Sequence, residues 1–173
     1  MLLLGLGSNL SSNFGNRFEN IDLAISYLQS HKIHLLKKSS FYETLSFPDI
    51  KNPKFINIII EVLTHLPPEE FASVLISIEE SLERKRNQKN EPRTCDIDII
   101  DYNGRVMDFS YKSLIFKVPH EKLIYRNFVL YPLQEIVPNW VHPITKEKIS
   151  NLIAKLPEED RKSILKVKKN WYN

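Results

Sequence analysis

The chain has 173 residues, of which 42% are hydrophobic and 10% aromatic, enough to bury the core of one domain, and no composition shift marks a second. A formal charge of +3 falls well short of the concentrated positive face of a dedicated nucleic-acid binder and leaves small polyanions as natural partners. The one cysteine, Cys95, excludes an intrachain disulfide and a four-thiolate zinc site, and fits a reducing, cytoplasmic setting.

The opening run Met1-Leu2-Leu3-Leu4-Gly5-Leu6-Gly7 lacks a basic leader and a cleavage site and is too short to span a bilayer, so a buried first strand is expected. After a turn at residues 7–13, Phe18, Ile21, Ile25 and Leu28 recur at helical spacing and predict a helix over residues 14–29. Residues 33–44 are β-like and end in a loop containing Ser46, Pro48, Asp49 and Pro53. In the following strand, residues 55–62, Ile56, Ile58, Ile60 and Val62 share one face, leaving Phe55, Asn57 and Glu61 on the other. Pro67 and Pro68 followed by Glu69 and Glu70 start a second helix, with Phe71, Val74, Leu75, Ile78 and Leu82 as its buried stripe. That helix is expected to dissolve into a polar, charged loop between Arg84 and Glu91.

The next strand, Pro92 to Ile100, carries two carboxylates one residue apart. Alternation puts Cys95, Ile97 and Ile99 on one face and Asp96 and Asp98 on the other. Adjacent like charges on one strand face repel, so the pair asks for a cation. A divalent metal completed by water and phosphates suits two carboxylates, and Arg84, Arg86 and Arg93 nearby could clamp the phosphate oxygens. Taken alone, the same pair would more often be a solvated strand face. The order strand, helix, strand, strand, helix, strand predicts an α+β fold with a ferredoxin-like βαββαβ core: a mainly antiparallel sheet, helices on one face, and C-terminal additions. Farther on, residues 102–105 read as a hairpin turn and residues 126–136 as a short helix after Val118-Pro119-His120. A packed helix at residues 149–156 and a solvated basic tail from residue 162 complete the chain.

Several ordered segments now coincide: Gly7-Ser8-Asn9-Leu10, Ser40-Phe41-Tyr42-Glu43-Thr44, Phe55-Ile56-Asn57, Ile78-Glu79 with Arg84 and Arg86, Pro92 to Ile99, Pro119-His120, Arg126-Asn127-Phe128-Val129-Leu130, and Pro132 to Ile136. Over roughly residues 1–138 the chain resembles the 6-hydroxymethyl-7,8-dihydropterin pyrophosphokinase family, and residues 1–173 are read as one such domain. The resemblance implies transfer of diphosphate from ATP to the pterin alcohol, giving AMP, in folate biosynthesis. It implies that Asp96 and Asp98 hold two magnesium ions, that Arg84 and Arg93 stabilise the transferred charge, and that Arg84, Arg86, Arg93, Ile99, His120 and Arg126 contact ATP. For the pterin it implies stacking between Phe55 and Phe128, with Asn57, Thr44, Leu45 and Phe47 completing the pocket. Glu79 stands as a secondary candidate, equally readable as a helix-face partner of its basic neighbours. The partners implied are ATP and the dihydropterin, without nucleic acid or membrane, in a monomer able to contact neighbouring folate-pathway enzymes. The sequence departs from the family in the loop after Arg86, which lacks a tryptophan, and at Glu91 and Glu121.

Two other classes compete. A ferredoxin-like RNA-binding module would stack bases on sheet aromatics, but no Lys/Arg-Gly-Phe signature occurs and Asp96 and Asp98 would repel phosphate. A metal-dependent nuclease could use the aspartates, but leaves Phe55, Asn57 and Phe128 unexplained. A Walker-type ATPase is disfavoured, since no Gly-Lys-Ser/Thr loop occurs.

Overall fold

The computed structural model describes residues 1–84, 91–112 and 114–171. The elements run β1 (Leu2–Ser8), α1 (Arg17–Ser30), β2 (His34–Lys38), β3 (Phe41–Thr44), β4 (Phe55–Leu63), α2 (Pro68–Ser81), β5 (Asp96–Tyr102), β6 (Met107–Tyr111), β7 (Leu114–Val118), α3 (Asn127–Ile136), α4 (Ile149–Lys155), α5 (Glu158–Lys162) and β8 (Leu165–Val167). The fold is α+β. One antiparallel sheet has the order β5-β1-β4-β3-β8, with β2 also on β4, and β6 and β7 form a separate pair.

Helix α1 starts at a capping box: the Asn16 side chain accepts from the Phe18 and Glu19 amides, and Glu19 accepts from the Asn16 amide. That cap sets the helix start three residues later than the hydrophobic spacing alone predicts. Helix α2 begins on Pro67 and Pro68 with Glu69 and Glu70 in its first turn, as the dipole and the fixed proline φ favour. The β-like stretch from residue 33 divides at Ser39. Its amide donates to the Ile59 carbonyl at 2.9 Å, but the Ile59 amide donates at 3.0 Å to the Ser39 hydroxyl rather than to a backbone carbonyl. Strand pairing breaks there, leaving β2 and β3 as successive short strands along β4.

The expectation of helices on one face is corrected. Leu2, Leu4, Leu6, Ile56, Ile58, Ile60, Ile97 and Ile99 pack under α1 and α2. On the opposite face Leu3, Ile59 and Ile100 pack under α3, Trp140 and α4. Runs such as Leu2-Leu3-Leu4 and Ile58-Ile59-Ile60, apolar at consecutive positions, are what a sheet covered on both sides requires. Two further corrections concern the C-terminal half. Residues 102–105 do form a turn, with Asn103 and Gly104 at positive φ, but the chain leaves the main sheet and β6 pairs with β7. The basic tail is not simply solvated: β8 adds to the sheet edge on β3 and buries Val167.

Helix α3 is tied across the sheet by Glu135, which accepts from the Ser40 hydroxyl at 2.8 Å and the Tyr42 hydroxyl at 2.7 Å. Burial and this carboxylate together push the Tyr42 phenol well above its ordinary pKa. At its other end Asn127 donates to the Asp160 carbonyl at 2.7 Å, anchoring α5.

Candidate active site

The strand register builds the site. Gly7 of β1 lies between Asn57 of β4 and Asp96 of β5, and two residues back Gly5 lies between Ile59 and Asp98. Directly opposed residues share a face, so Asn57, Asp96 and Asp98 all project on the α3 side of the sheet. At a strand spacing of ~4.8 Å, the Asn57 and Asp96 backbones stand ~10 Å apart, with a residue lacking a side chain between them. A Cβ on Gly7 would come within 3.1 Å of Asn57 Oδ1 and 3.6 Å of a Phe55 ring carbon. The glycine therefore gives the Asn57 amide and the Phe55 ring room to lie over β1, on the floor of a trough that runs from the amide to the carboxylates.

Charge dominates one end of this trough. Asp96 is gripped by Arg84 at 2.6 Å and Arg93 at 3.1 Å. Arg84 also pairs with Glu79 of α2, and Glu79 Oε1 accepts the Ile97 amide at 2.7 Å, so the buried acid fixes both the arginine and the strand. Burial works against the Arg84 charge, but Asp96, Glu79 and Asp98 outweigh it and raise its pKa. Arg93 Nε is buried without a hydrogen-bond partner among the described residues. Two residues along β5, Asp98 pairs with Arg126 at 3.3 Å. Burial pushes the Asp98 carboxyl above the usual carboxylate range and Asp96 adds to the push, against the pull of His120, Arg126 and Arg84. Burial lowers the His120 pKa and Arg126 reinforces this, with Asp98 opposing. Its Nδ1 accepts the Lys122 amide at 3.0 Å, so the neutral ring carries its proton on Nε2.

Among the described residues, no three His, Cys, Asp or Glu side chains group closely enough to cage a metal. The donors at Asp96 and Asp98 are hard oxygens, few in number, on a carboxyl pair whose mutual repulsion a cation would relieve. That set suits magnesium with most of its shell supplied by water and ligand oxygens.

The other end is neutral. Asn57 donates to the Thr44 hydroxyl at 3.0 Å, and both residues are buried. Phe55 lies beneath the Arg93 guanidinium at 5.5 Å, and Phe128 beneath that of Arg126 at 5.4 Å. Both rings are on the α3 side, Phe55 sharing the Ile59 face of β4 and Phe128 packing against the cluster around Ile59. Leu45 and Phe47 stand exposed on the loop after β3, Phe47 at 88%.

The structure thus gathers Arg84, Arg93, Asp96, Asp98, His120 and Arg126 at one end, and Thr44, Asn57 and Phe55 at the other. It does not bring the Ile99 side chain to them, since that residue packs in the α1/α2 core on the opposite face and has only its backbone to offer. Arg86 lies outside the described residues. Glu79, a carboxylate next to Ile78 on the core-facing side of α2, is the residue that sequence reasoning weighted too low. Gly7 and Asn9 carried a signal only as part of the Gly-Ser-Asn-Leu run.

Comparisons with known proteins bear on the family and the fold. The family model for 7,8-dihydro-6-hydroxymethylpterin-pyrophosphokinase (HPPK) matches residues 3–138. The chain belongs to the HPPK family. It is 35% identical over 146 residues to the 2-amino-4-hydroxy-6-hydroxymethyldihydropteridine pyrophosphokinase of Aquifex aeolicus, covering 84% of this chain and 86% of that protein. It is also 35% identical over 157 residues to the folic acid synthesis protein fol1 of Pneumocystis carinii, covering 91% of this chain but 21% of that much longer one. In fold it is similar to the crystal structure of wild-type Plasmodium falciparum HPPK-DHPS with SDX-DHP, with a TM-score of 0.66 at 17% identity, over 89% of this chain and 43% of that one. The HPPK match contains every candidate site residue and ends before Trp140, α4, α5 and β8.

Proposed function

We propose that this chain transfers diphosphate from ATP to 6-hydroxymethyl-7,8-dihydropterin, releasing AMP, as a step of folate biosynthesis. The observation that carries the reading is the row Asn57, Gly7, Asp96. A neutral amide suited to the edge of a flat heterocycle stands across β1 from a charged cluster suited to phosphates, with a glycine between them where a side chain would press on the Asn57 amide and the Phe55 ring. HPPK membership supplies the chemistry that such a row would serve.

In this reading the pterin lies between Phe55 and Phe128, with Asn57 and Thr44 at its edge and Leu45 and Phe47 closing over it. ATP lies along Arg84, Arg86, Arg93, His120 and Arg126, with the Ile99 backbone alongside. Asp96 and Asp98 would hold two magnesium ions, which draw charge off the phosphate oxygens and the attacking hydroxyl. The pterin oxygen forms a bond to the β-phosphorus as the bond from that phosphorus to the α-phosphate oxygen breaks, the hydroxyl proton passing to solvent. Arg84 and Arg93, now on Asp96, exchange that carboxylate for phosphate oxygens, and Arg93 Nε, without a partner among the described residues, provides a further donor. Glu79 keeps Arg84 aimed while this happens.

The strand order, with β5 and β4 flanking β1 and β2/β3 outside β4, supports a ferredoxin-like core bearing additions. A monomer in the cytoplasm belongs to the same proposal, and the single buried Cys95 fits the reducing compartment. So does contact with other folate enzymes, since relatives named for folic acid synthesis carry this unit inside longer chains.

A thermal-shift titration tests the binding half of the reading. Magnesium with a non-hydrolysable ATP analogue, then the pterin, should each raise the melting temperature, a ligand at ~100 times its Kd adding ~2.7 kcal/mol. No shift with either ligand would overturn it.

A further inference from the structure

The charged and neutral ends of the trough are joined by one buried side chain, Asn9, in the Gly7-Ser8-Asn9-Leu10 turn after β1. Its Oδ1 accepts the Arg93 amide at 2.7 Å, and its own amide donates to the Arg93 carbonyl at 3.0 Å. Its Nδ2 donates to the Pro53 carbonyl at 3.0 Å and to the Ser46 hydroxyl at 3.3 Å, while Ser46 donates to the same Pro53 carbonyl at 2.6 Å. Ser46 and Pro53 are the two ends of the loop that carries Phe47, follows directly on Leu45 and leads into Phe55. One carboxamide thus clasps that loop shut at its base and fastens the clasp to the backbone that carries Arg93, three residues from Asp96.

An Asn is suited to this because it offers an acceptor and two donors at once, in one plane. Asn9 and Ser46 are themselves buried, so if the clasp opens their side-chain polar atoms lose partners that water does not readily replace, which favours the two segments moving together. A shift of the Arg93 backbone as its guanidinium leaves Asp96 therefore reaches Pro53 and Ser46 through Asn9.

We propose that Asn9 is a positioning residue that couples the two substrate sites, so that occupancy of the nucleotide site favours the loop conformation that binds the pterin, and the reverse by linkage. This rests on the functional reading above. It identifies neither a ligand contact nor a reacting group in Asn9.

The test is calorimetric: the Kd of the dihydropterin is measured with and without saturating magnesium and the non-hydrolysable ATP analogue, in the wild-type chain and in Asn9→Asp. The carboxylate keeps the acceptor for the Arg93 amide but replaces the Nδ2 donor with an oxygen that faces the Pro53 carbonyl. The wild type should show at least a ~5-fold tightening of the pterin by the analogue, within the usual range of coupling between sites. In Asn9→Asp that factor should fall to about one, while the Kd of the analogue alone changes by less than about threefold. A residue that is merely structural would weaken each ligand alone and leave the factor intact, and that result would overturn the proposal. So would an absence of coupling in a wild type that binds both ligands. If the wild type binds neither, the functional reading itself fails. Should Asn9→Asp not fold, Ser46→Ala, which removes one arm of the clasp and leaves the Asn9–Pro53 bond, carries the same comparison. Its coupling factor should fall at least twofold, and an unchanged factor would count against the proposal.

Discussion

Asp96 and Asp98 are held by full charges, with Arg84, Arg93 and Arg126 around them and Glu79 behind Arg84, whereas Asn57, across β1, is held by a neutral hydrogen bond to Thr44 and by nearby rings. The two ends differ in what can be exchanged. A guanidinium on a carboxylate can leave it for a phosphate at little net cost, because one ionic hydrogen bond replaces another. A buried amide paired with a buried hydroxyl has no such substitute and is better suited to remain as it is while a ligand arrives. The charged end is therefore suited to changes that accompany reaction, and the neutral end to shape that precedes it.

The sharpest way to break this contrast is at the carboxylates. Asp98→Asn should lower turnover by at least a ~thousandfold at saturating magnesium and leave thermal unfolding of the ligand-free chain nearly unchanged, since burial and Asp96 already disfavour its charge. Steady-state kinetics beside a melting curve checks both halves, and a variant with wild-type turnover would remove the metal assignment. Next in size, Arg93→Ala should reduce kcat about a hundredfold, for a charge-assisted contact of ~3 kcal/mol made to the developing charge. A raised KM with unchanged kcat would move Arg93 from the reacting phosphate to plain nucleotide binding.

At the neutral end the expected effects are smaller and fall on binding. Phe128→Ala should weaken the dihydropterin by ~1–3 kcal/mol in calorimetry and leave the ATP analogue nearly unaffected, by analogy with base stacking on aromatics. Equal losses for both ligands would show that the ring's main service is to support Arg126.

A third region, outside both ends, offers a control. His142 is buried against Trp140, and its Nδ1 accepts the Ile144 and Thr145 amides at 3.2 and 3.1 Å. Burial lowers its pKa and Lys146 adds to this, with Asp101 and Glu147 opposing. The unfolded chain then binds the proton first, so the stability His142 contributes is present above ~6.5, the ordinary histidine pKa, and is lost as pH falls toward the lower folded value. Urea melts from pH 7 to 5 should show a decline that His142→Gln flattens; equal slopes in both proteins would contradict this.

What the sequence discloses tracks how local the cause is. Alternation in residues 96–100 places Asp96 and Asp98 opposite Ile97 and Ile99, and the structure agrees, because period two is a property of the strand itself. That same alternation argues against a side-chain role for Ile99 beside the aspartates, which came from the family resemblance. The second helical layer was legible only indirectly. An amphipathic helix such as α3 announces an apolar stripe without naming the sheet face it covers, and the better signal was the unbroken apolar runs in β1 and β4. Strand β8, three residues in a basic tail, exists because β3 offers an open edge, and nothing within Leu165-Lys166-Val167 states that. The register that sets Asn57 and Asp96 on either side of Gly7 is likewise a property of three strands together.

The central claim is that the charged end directs the pterin hydroxyl at the β-phosphorus of ATP rather than the γ. Phosphorus NMR of the chain with ATP, magnesium and 6-hydroxymethyl-7,8-dihydropterin measures this without a coupled assay. The account predicts AMP and a pterin diphosphate appearing in equal amounts; stoichiometric ADP, or ATP hydrolysis at a rate indifferent to the pterin, would contradict it.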